Sequence, residues 1–185
     1  MWLLIILLPI AAALAARWWF GLRVLAEVGG RACRCDLTSW TPPAEAGTAV
    51  QRAEHSAAEF GKQLRLKALA EWRERDPKAA AARGNSLRFG MAVPPLTGIV
   101  AIMATVVAKI RPIYAIALFF AATALAAALG ILALPAELTA IRQAAKNLRA
   151  AKNFPNRTDE DAVIRCALAH AWKETLPPLL ALIQR

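Results

Sequence analysis

The sequence predicts an all-α, helical integral membrane protein with an N-terminal span, a tight transmembrane hairpin and amphipathic cytoplasmic helices. Hydrophobic residues make up 58% of the 185-residue chain and charged residues 19%, whereas soluble domains contain about 45–50% and about 25%. The hydrophobic residues are concentrated in a few long runs, as membrane spans require. The net charge is +10, and most basic residues lie between these runs.

The first apolar run covers residues 1–16 and is followed by Arg17 and the aromatic triplet Trp18-Trp19-Phe20. The run is short for a span, but Arg17 can extend its charge towards the headgroups and the tryptophans suit the membrane interface. We therefore expect a membrane anchor over residues 1–20. A cleaved signal peptide is the alternative, because Ala13-Leu14-Ala15 resembles a cleavage site. Against it, no Lys or Arg precedes the run.

Two further apolar runs predict a transmembrane hairpin over residues 89–135. The second run, 89–108, contains Pro94-Pro95 near its start, where we expect the helix to be kinked or delayed. The third run, 113–134, has no charged residue, and at this length a helix reaches about 33 Å, enough to cross a hydrocarbon core of about 30 Å. Its alanines and glycine favour close packing on another helix.

Charge predicts how these spans are oriented. The segments 21–88 and 136–185 fall on the same side of the hairpin, and both are richer in Lys and Arg than the hairpin tip. Because positive loops remain inside, we expect both segments in the cytoplasm and the N-terminus outside. This predicts a protein of the bacterial cytoplasmic (inner) membrane.

The segment 21–88 contains a predicted amphipathic helix over residues 44–76. Thr41-Pro42-Pro43 supplies an N-terminal signal, and Asp76-Pro77 ends the pattern. This helix can pack on the rest of the chain, lie on the inner leaflet, or pair with a partner helix. Its apolar residues recur at spacings of three and four: Val50, Ala53, Ala57, Phe60, Leu64, Ala68 and Trp72.

The C-terminal segment 136–185 is predicted to contain cytoplasmic or interfacial helices. Thr158-Asp159-Glu160-Asp161 is typical of a helix N-terminus, because its acids suit the positive end of the helix dipole. The helix continues through residues 162–183 and is interrupted by charges and by Pro177-Pro178. We expect it at the interface or packed on the hairpin, with a fourth span as the alternative.

Few residues offer chemistry. Three Cys and two His, without paired C-x-x-C elements, exclude a disulfide scaffold or a zinc ribbon. Cys33 and Cys35 are too close together for an easy disulfide. Cys166 and His170 share a helix face, where packing is the default interpretation, and no nucleophile has a base beside it. Acidic residues interleave with the basic ones and no known motif is present, so we expect no nucleic-acid partner.

The segment that follows the third run carries a family resemblance. Residues 134–144 read Leu-Pro-Ala-Glu-Leu-Thr-Ala-Ile-Arg-Gln-Ala. This resembles the L-P-x-E segment that follows the last long span of the YugP-like membrane zinc metallopeptidases, although Leu138 and Ile141 depart from the family pattern. The resemblance covers residues 85–175 and the general layout of residues 1–84, and it implies a membrane peptidase scaffold.

The resemblance also shows what this chain lacks. A peptidase of that family needs H-E-x-x-H on a helix before the hairpin, where two His bind zinc and the Glu activates water. At the corresponding place, residues 67–73 contain no His. The resemblance implies that Glu137 is the third ligand, and one Glu cannot hold zinc alone. A structural interpretation is that Glu137 pairs with Arg142 or caps backbone groups.

His55, Glu59 and Glu137 are candidate ligands of a substitute metal site. His55 and Glu59 are four residues apart and share a helix face, and Glu137 would complete the set. The competing interpretation is that His55 and Glu59 are an ordinary solvated pair. We therefore expect no zinc or other cofactor and no catalytic residue.

The predicted function is that of a non-catalytic membrane protein, a subunit or regulator of a membrane complex that kept the peptidase scaffold and lost its metal. Its expected partners are the membrane and other membrane subunits, bound through the 44–76 helix and the small-residue face of the third run. One alternative is a zinc peptidase with an atypical site. Another is a protein that binds anionic lipid headgroups through Arg17, Arg142, Lys146 and Arg149.

Overall fold

The computed structural model describes residues 2–35 and 54–175, which are mostly helical. Three helical stretches in this part of the chain are long and apolar enough to cross a membrane. They confirm the three predicted apolar segments, with different boundaries. They are Leu7–Val28, Pro77–Val106 and Pro112–Ala151.

The first hydrophobic helix is longer than predicted. Helix α1 (Trp2–Ala16) continues without a break into a π-helical segment (Arg17–Leu22) and then into α2 (Arg23–Val28). The predicted anchor therefore extends eight residues beyond residue 20. The π-helical turn lies at Arg17-Trp18-Trp19, where the sequence placed the membrane interface.

A two-stranded antiparallel sheet corrects the all-α expectation. Strand β1 (Ala32–Arg34) pairs with β2 (Glu54–Ser56), so that Cys33 lies opposite His55. The 44–76 helix prediction is therefore wrong at residues 54–56, and its part before residue 54 lies outside the described residues. Helix α3 (Ala57–Arg75) begins where the Ser56 side chain accepts a hydrogen bond from the Glu59 N–H at 3.3 Å.

Helix α4 (Pro77–Val106) also begins earlier than predicted and runs through both internal prolines. The expectation that Pro94-Pro95 would delay the helix is wrong. Asp76 caps α4 by accepting the Ala79 N–H at 3.1 Å, and Pro77 at the first position has no N–H that would need a partner. The helix therefore begins at Pro77, twelve residues before the apolar run.

A short connection with Lys109 in the left-handed region (φ 52°) leads into the second half of the hairpin. Helix α5 (Pro112–Leu132) is separated from α6 (Leu134–Ala151) by Ala133 alone. Helix α7 (Arg157–Lys173) follows and has Asn156 as its N-cap. It is not among the helices that are long and apolar enough to span a membrane in the described part of the chain.

The hydrophobic helices pack with α5 in contact with both α1 and α4. Ile10 and Ala13 of α1 form a small core with Ala124 and Ala127 of α5. Two of the small residues of the third apolar run, Ala124 and Ala127, are therefore packed against α1 of the same chain. The close approach follows from the absence of large side chains on this face.

The second core lies where α3, α6 and α7 pack together, and we call these three helices the helical cluster. Phe60, Leu64 and Ile141 are almost completely buried there. The apolar face of α3 therefore packs on its own chain, which is the first of the three uses considered for it. Gly61 permits the closest contact, since a Cβ at this position would lie 2.6 Å from the Cys166 Cβ.

Contacts with the C-terminal end of α7 show how the hydrophobic helices are placed relative to the helical cluster. A Cβ on Gly21 would lie 3.3 Å from the Lys173 nitrogen, and one on Gly130 would lie 2.5 Å from the Thr175 carbonyl oxygen. The C-terminal ends of α1 and α5 therefore lie on the same side, and both helices run towards the cluster. Trp2, the first residue that the structure describes, consequently lies at the same end of the hydrophobic helices as the hairpin tip.

Candidate functional site: a buried arginine–carboxylate cluster

Glu137 is completely buried at the junction between the hydrophobic helices and the helical cluster. It lies in the first turn of α6, immediately after the Leu134-Pro135 start of that helix. Only Ala133 separates α5 from α6. Glu137 therefore lies close to the end of the apolar helix α5, in the protein interior. A buried carboxylate is costly unless it is paired and hydrogen-bonded.

Two buried arginines from two other helices supply the partners. The Arg65 Nε on α3 donates to Glu137 Oε1 at 2.7 Å, and the Arg83 Nε on α4 donates to Oε2 at 2.7 Å. Arg65 is 4% exposed and Arg83 is 3% exposed. Each carboxylate oxygen therefore has its own charge-assisted hydrogen bond.

Further contacts hold the arginines in place. The Arg83 Nη1 donates to the Gly130 carbonyl oxygen at 2.9 Å, and Arg83 Nη2 approaches Thr175 Oγ1 at 3.5 Å. The Arg65 Nη1 lies 2.6 Å from an oxygen of Glu174, a side chain that is 55% exposed. The arginine–carboxylate cluster thus connects α3, α4, α5, α6 and the residues that follow α7.

The charges of this cluster balance. Burial alone disfavours the charged form of Arg65, but Glu137 and Glu174 outweigh that effect and raise the pKa of Arg65. Two guanidiniums and two carboxylates leave no net charge. Such a group contributes little net stability compared with apolar residues, yet removing the buried carboxylate of Glu137 costs about 3–5 kcal/mol, because buried charges then lose their partner.

A small cavity of about 70 Å³ lies beside the arginine–carboxylate cluster. Its wall combines the three arginines 65, 73 and 83 and Glu137 with apolar and small residues of α3 and α4. The apolar and small residues are Leu69, Trp72, Ala80, Gly84 and Leu87.

The structure does not assemble the proposed metal set. Both oxygens of Glu137 are engaged by arginines. His55 lies exposed on β2, where its Nδ1 accepts the Ser56 N–H at 3.0 Å, and Glu59 lies in the first turn of α3. Within residues 2–35 and 54–175, no three His, Cys, Asp or Glu residues are grouped so that they could hold a metal ion.

The predicted headgroup residues fall into two classes. Arg142 and Lys146 are exposed on α6. Arg17 is 7% exposed, and Arg149 pairs with Glu160 at 2.8 Å and with Asp161 at 2.7 Å. Arg149 remains 58% exposed in these pairs, so the role of Arg142, Lys146 and Arg149 at lipid headgroups stays a prediction.

The cysteines and His170 are part of the packing. Cys33, Cys35 and Cys166 are free and buried. Burial, together with the proximity of Cys33, raises the pKa of Cys166 to about 11, so its thiolate is scarce at neutral pH. His170 lies with Nε2 3.0 Å from the Ala58 carbonyl oxygen, and burial lowers its pKa.

Sequence reasoning missed Arg65 and Arg83. A signal was present for Arg65, which falls on the apolar face of α3 between Leu64 and Ala68, where a solvated arginine is out of place. Arg83 is the only charged residue within the alanine-rich stretch 79–84. Neither pattern identifies the partner, since Glu137 lies 72 residues from Arg65 and 54 residues from Arg83.

No family model, curated protein or solved structure matches this chain. The resemblance at residues 134–144 therefore stays a prediction from the sequence.

Proposed function

We propose that this chain is a non-catalytic protein of the bacterial cytoplasmic membrane, a subunit or regulator of a membrane complex. In this proposal its scaffold is that of a YugP-like zinc metallopeptidase in which an ion-pair cluster replaces the metal. The observation that carries the proposal is the position of Glu137. The residue that the resemblance assigns to zinc instead binds two buried guanidiniums.

The position of α3 supports this replacement. Leu69 and Arg73 are four residues apart on α3, as two zinc-binding His residues are in H-E-x-x-H. Both line the same cavity as Glu137. In this alignment Leu69 and Arg73 stand where the ligands would be, and Ala70 stands where the water-activating Glu would be. None of these three side chains can supply the zinc chemistry.

Electrostatics support it as well. A divalent cation beside Glu137 would meet two guanidiniums within hydrogen-bonding distance of the same carboxylate. It would have to displace at least one of them, and a buried arginine without a carboxylate is strongly unfavourable. The arginines therefore perform the structural role of a bound cation.

Charge and helix direction support the orientation. The first and third hydrophobic helices run towards the helical cluster, and the start of α1 shares an end with the hairpin tip. Lys and Arg are enriched in the segments on the cluster side. The positive-inside rule then places the cluster in the cytoplasm and the N-terminus outside.

A partner has to use surfaces other than those that the sequence favoured. The apolar face of α3 is buried against α6 and α7, and Ala124 and Ala127 of α5 are buried against α1. The proposed complex therefore leaves both of these interfaces intact.

Metal analysis tests the loss of the metal site. The full-length protein, purified from membranes without chelators, is expected to carry no stoichiometric zinc by elemental mass spectrometry and to leave casein intact. Added zinc, followed by desalting, should leave this result unchanged. One bound equivalent that is lost in Glu137→Gln or in His55→Ala would overturn the proposal and favour an atypical peptidase.

The assembly is tested separately by extraction of native membranes into nanodiscs. The expected result is a particle larger than one chain that contains a second membrane protein in a fixed ratio. A particle with one copy of this chain and no other protein would contradict the subunit role.

A further inference from the structure

A cavity of about 590 Å³ lies between the end of α6 and the start of α7, and we call it the α6–α7 cavity. Arg149 in the last turn of α6 and Lys152 at its C-cap form one part of the wall. Arg157, Glu160 and Asp161 of α7 form another part. The volume falls within the range of about 300–1,000 Å³ that is typical of small-molecule sites.

The charges in the described wall of this cavity do not cancel. Arg149 donates to Glu160 at 2.8 Å and to Asp161 at 2.7 Å, so it engages both carboxylates of the wall. The side chains of Lys152 and Arg157 are exposed, and within residues 2–35 and 54–175 neither has a hydrogen bond or an ion pair. Three cations against two carboxylates therefore leave one positive charge in excess.

The backbone holds Lys152 in an unfavourable conformation. Its φ is 51°, in the left-handed region, where a residue with a Cβ costs energy and where glycine is the usual residue after a helix. Lysine therefore does not serve the geometry of this turn, which glycine would form with less strain. Residues held in such conformations are concentrated at functional sites, where the side chain itself is needed.

We propose that the α6–α7 cavity binds an organic carboxylate. Lys152 and Arg157 offer unused N–H donors, and charged donors form strong hydrogen bonds with carboxylate oxygens. A carboxylate brings one negative charge, which equals the excess in the wall. A phosphate monoester brings about 1.5 to 2 negative charges at pH 7 and would leave an excess of negative charge beside Glu160 and Asp161.

The rest of the ligand is larger than its anionic group. A carboxylate fills only a small part of about 590 Å³, and Phe154 and Pro155 give the wall an apolar portion. The cavity therefore suits a carboxylate that is attached to an apolar body. A small carboxylic acid and the terminal carboxylate of a peptide present this same group to the two cations. The inference depends on the charge and volume of this cavity, and not on the loss of a metal site or on the membrane assembly.

Two variants that remove the same charge test the proposal. Arg157→Gln removes a guanidinium from the wall, and Arg75→Gln removes one from an exposed position at the end of α3, outside the lining, and serves as the matched control. Phenylpropionate is titrated by calorimetry into the full-length protein in phosphatidylcholine nanodiscs, and empty nanodiscs correct for its partition into lipid. The uncharged phenylpropionamide is the control for the apolar body.

The wild type and Arg75→Gln should bind phenylpropionate saturably and should not bind the amide. Arg157→Gln should bind phenylpropionate about tenfold more weakly, as expected when a charge-assisted hydrogen bond is lost. In a second arm, the peptide acetyl-Ala-Ala-Phe with a free terminal carboxylate replaces phenylpropionate. If the peptide binds to the wild type and phenylpropionate does not, the carboxylate comes from a protein segment.

A further variant separates binding from folding. Lys152→Gly relieves the left-handed backbone and removes the second cation, so it should weaken binding about tenfold while the melting temperature stays the same or rises. The proposal is overturned if neither carboxylate binds, if the amide binds as tightly as the acid, or if Arg157→Gln or Lys152→Gly binds as tightly as the wild type. These outcomes depend neither on zinc content nor on a second membrane protein, so this proposal and the proposed function can fail separately.

Discussion

The hydrophobic helices and the helical cluster hold together by different means. Where α1 packs on α5, the buried residues are few and mostly small, and large apolar side chains such as Ile102 and Val106 on α4 remain more than half exposed. In the cluster, large side chains such as Phe60 and Leu64 are buried, and so are the charges around Glu137.

The difference follows from the solvent that each part is suited to. Lipid covers apolar side chains as well as protein does, so spanning helices need only small residues where they touch. Water does not solvate apolar side chains favourably, so the helical cluster has to bury them in a core of its own. Glu137 lies where the two parts meet, and it can be buried because arginines from α3 and α4 neutralise it.

Removing the carboxylate at the junction should have the largest effect. We expect Glu137→Ala to lower the free energy of unfolding by about 3–5 kcal/mol, because Arg65 and Arg83 would both lose the buried carboxylate that they bind. Thermal or denaturant unfolding followed by circular dichroism measures this. Glu74→Ala, at an exposed position of α3, is the control and should change stability by at most about 0.5 kcal/mol. Equal effects would mean that the junction does not join the two parts.

Adding one methyl group should change stability by different amounts in the helical cluster and in the hydrophobic helices. Gly61→Ala in the cluster places a Cβ 2.6 Å from the Cys166 Cβ and 2.8 Å from the Ala167 nitrogen, so we expect a loss of about 1–3 kcal/mol. Gly98→Ala in the hydrophobic part meets only the Phe119 ring at 3.4 Å and should be tolerated. The same unfolding measurement compares them. A costlier Gly98→Ala would contradict the comparison.

Lowering the pH should destabilise the helical cluster by a smaller amount than these substitutions. Burial lowers the pKa of His170, with Arg65 and Lys173 adding to the decrease and the Ala58 carbonyl and Glu174 opposing it. Since the unfolded chain takes up this proton near pH 6.5 and the folded chain only at lower pH, stability falls as the pH drops below about 6.5. His170→Gln should flatten this part of the stability profile between pH 7 and 5, and His55→Gln on exposed β2 should not. Identical profiles in the wild type and His170→Gln would contradict this role.

Predictions from local pattern succeeded unevenly. The three apolar segments were recognised because their hydrophobicity is a local property of each run. Their boundaries were not, since the start of α4 depends on the cap at Asp76 and the prolines at 94 and 95 are accommodated within the helix. The start of α3 was displaced because Ser56 pairs with Ala32 in the sheet, a contact that no helical periodicity contains.

The candidate site was predicted only in part. Glu137 was identified from its resemblance to a metal ligand, and its pairing was expected with Arg142, which is a neighbour in sequence. The structure pairs it with Arg65 and Arg83 and leaves Arg142 exposed. Local spacing favours partners three or four residues apart, whereas burial requires whichever cation the packing of other helices brings to the same depth.

The sequence by itself determined that the chain contains three apolar helical segments, that most basic residues lie between the apolar runs, and that no H-E-x-x-H motif is present. These properties reside in composition and order. Only the tertiary structure decided that α3 packs on its own chain, that α1 packs on Ala124 and Ala127 of α5, and that two arginines bind Glu137. The reason is that a buried charge is defined by its three-dimensional neighbours, and these come from helices distant in sequence.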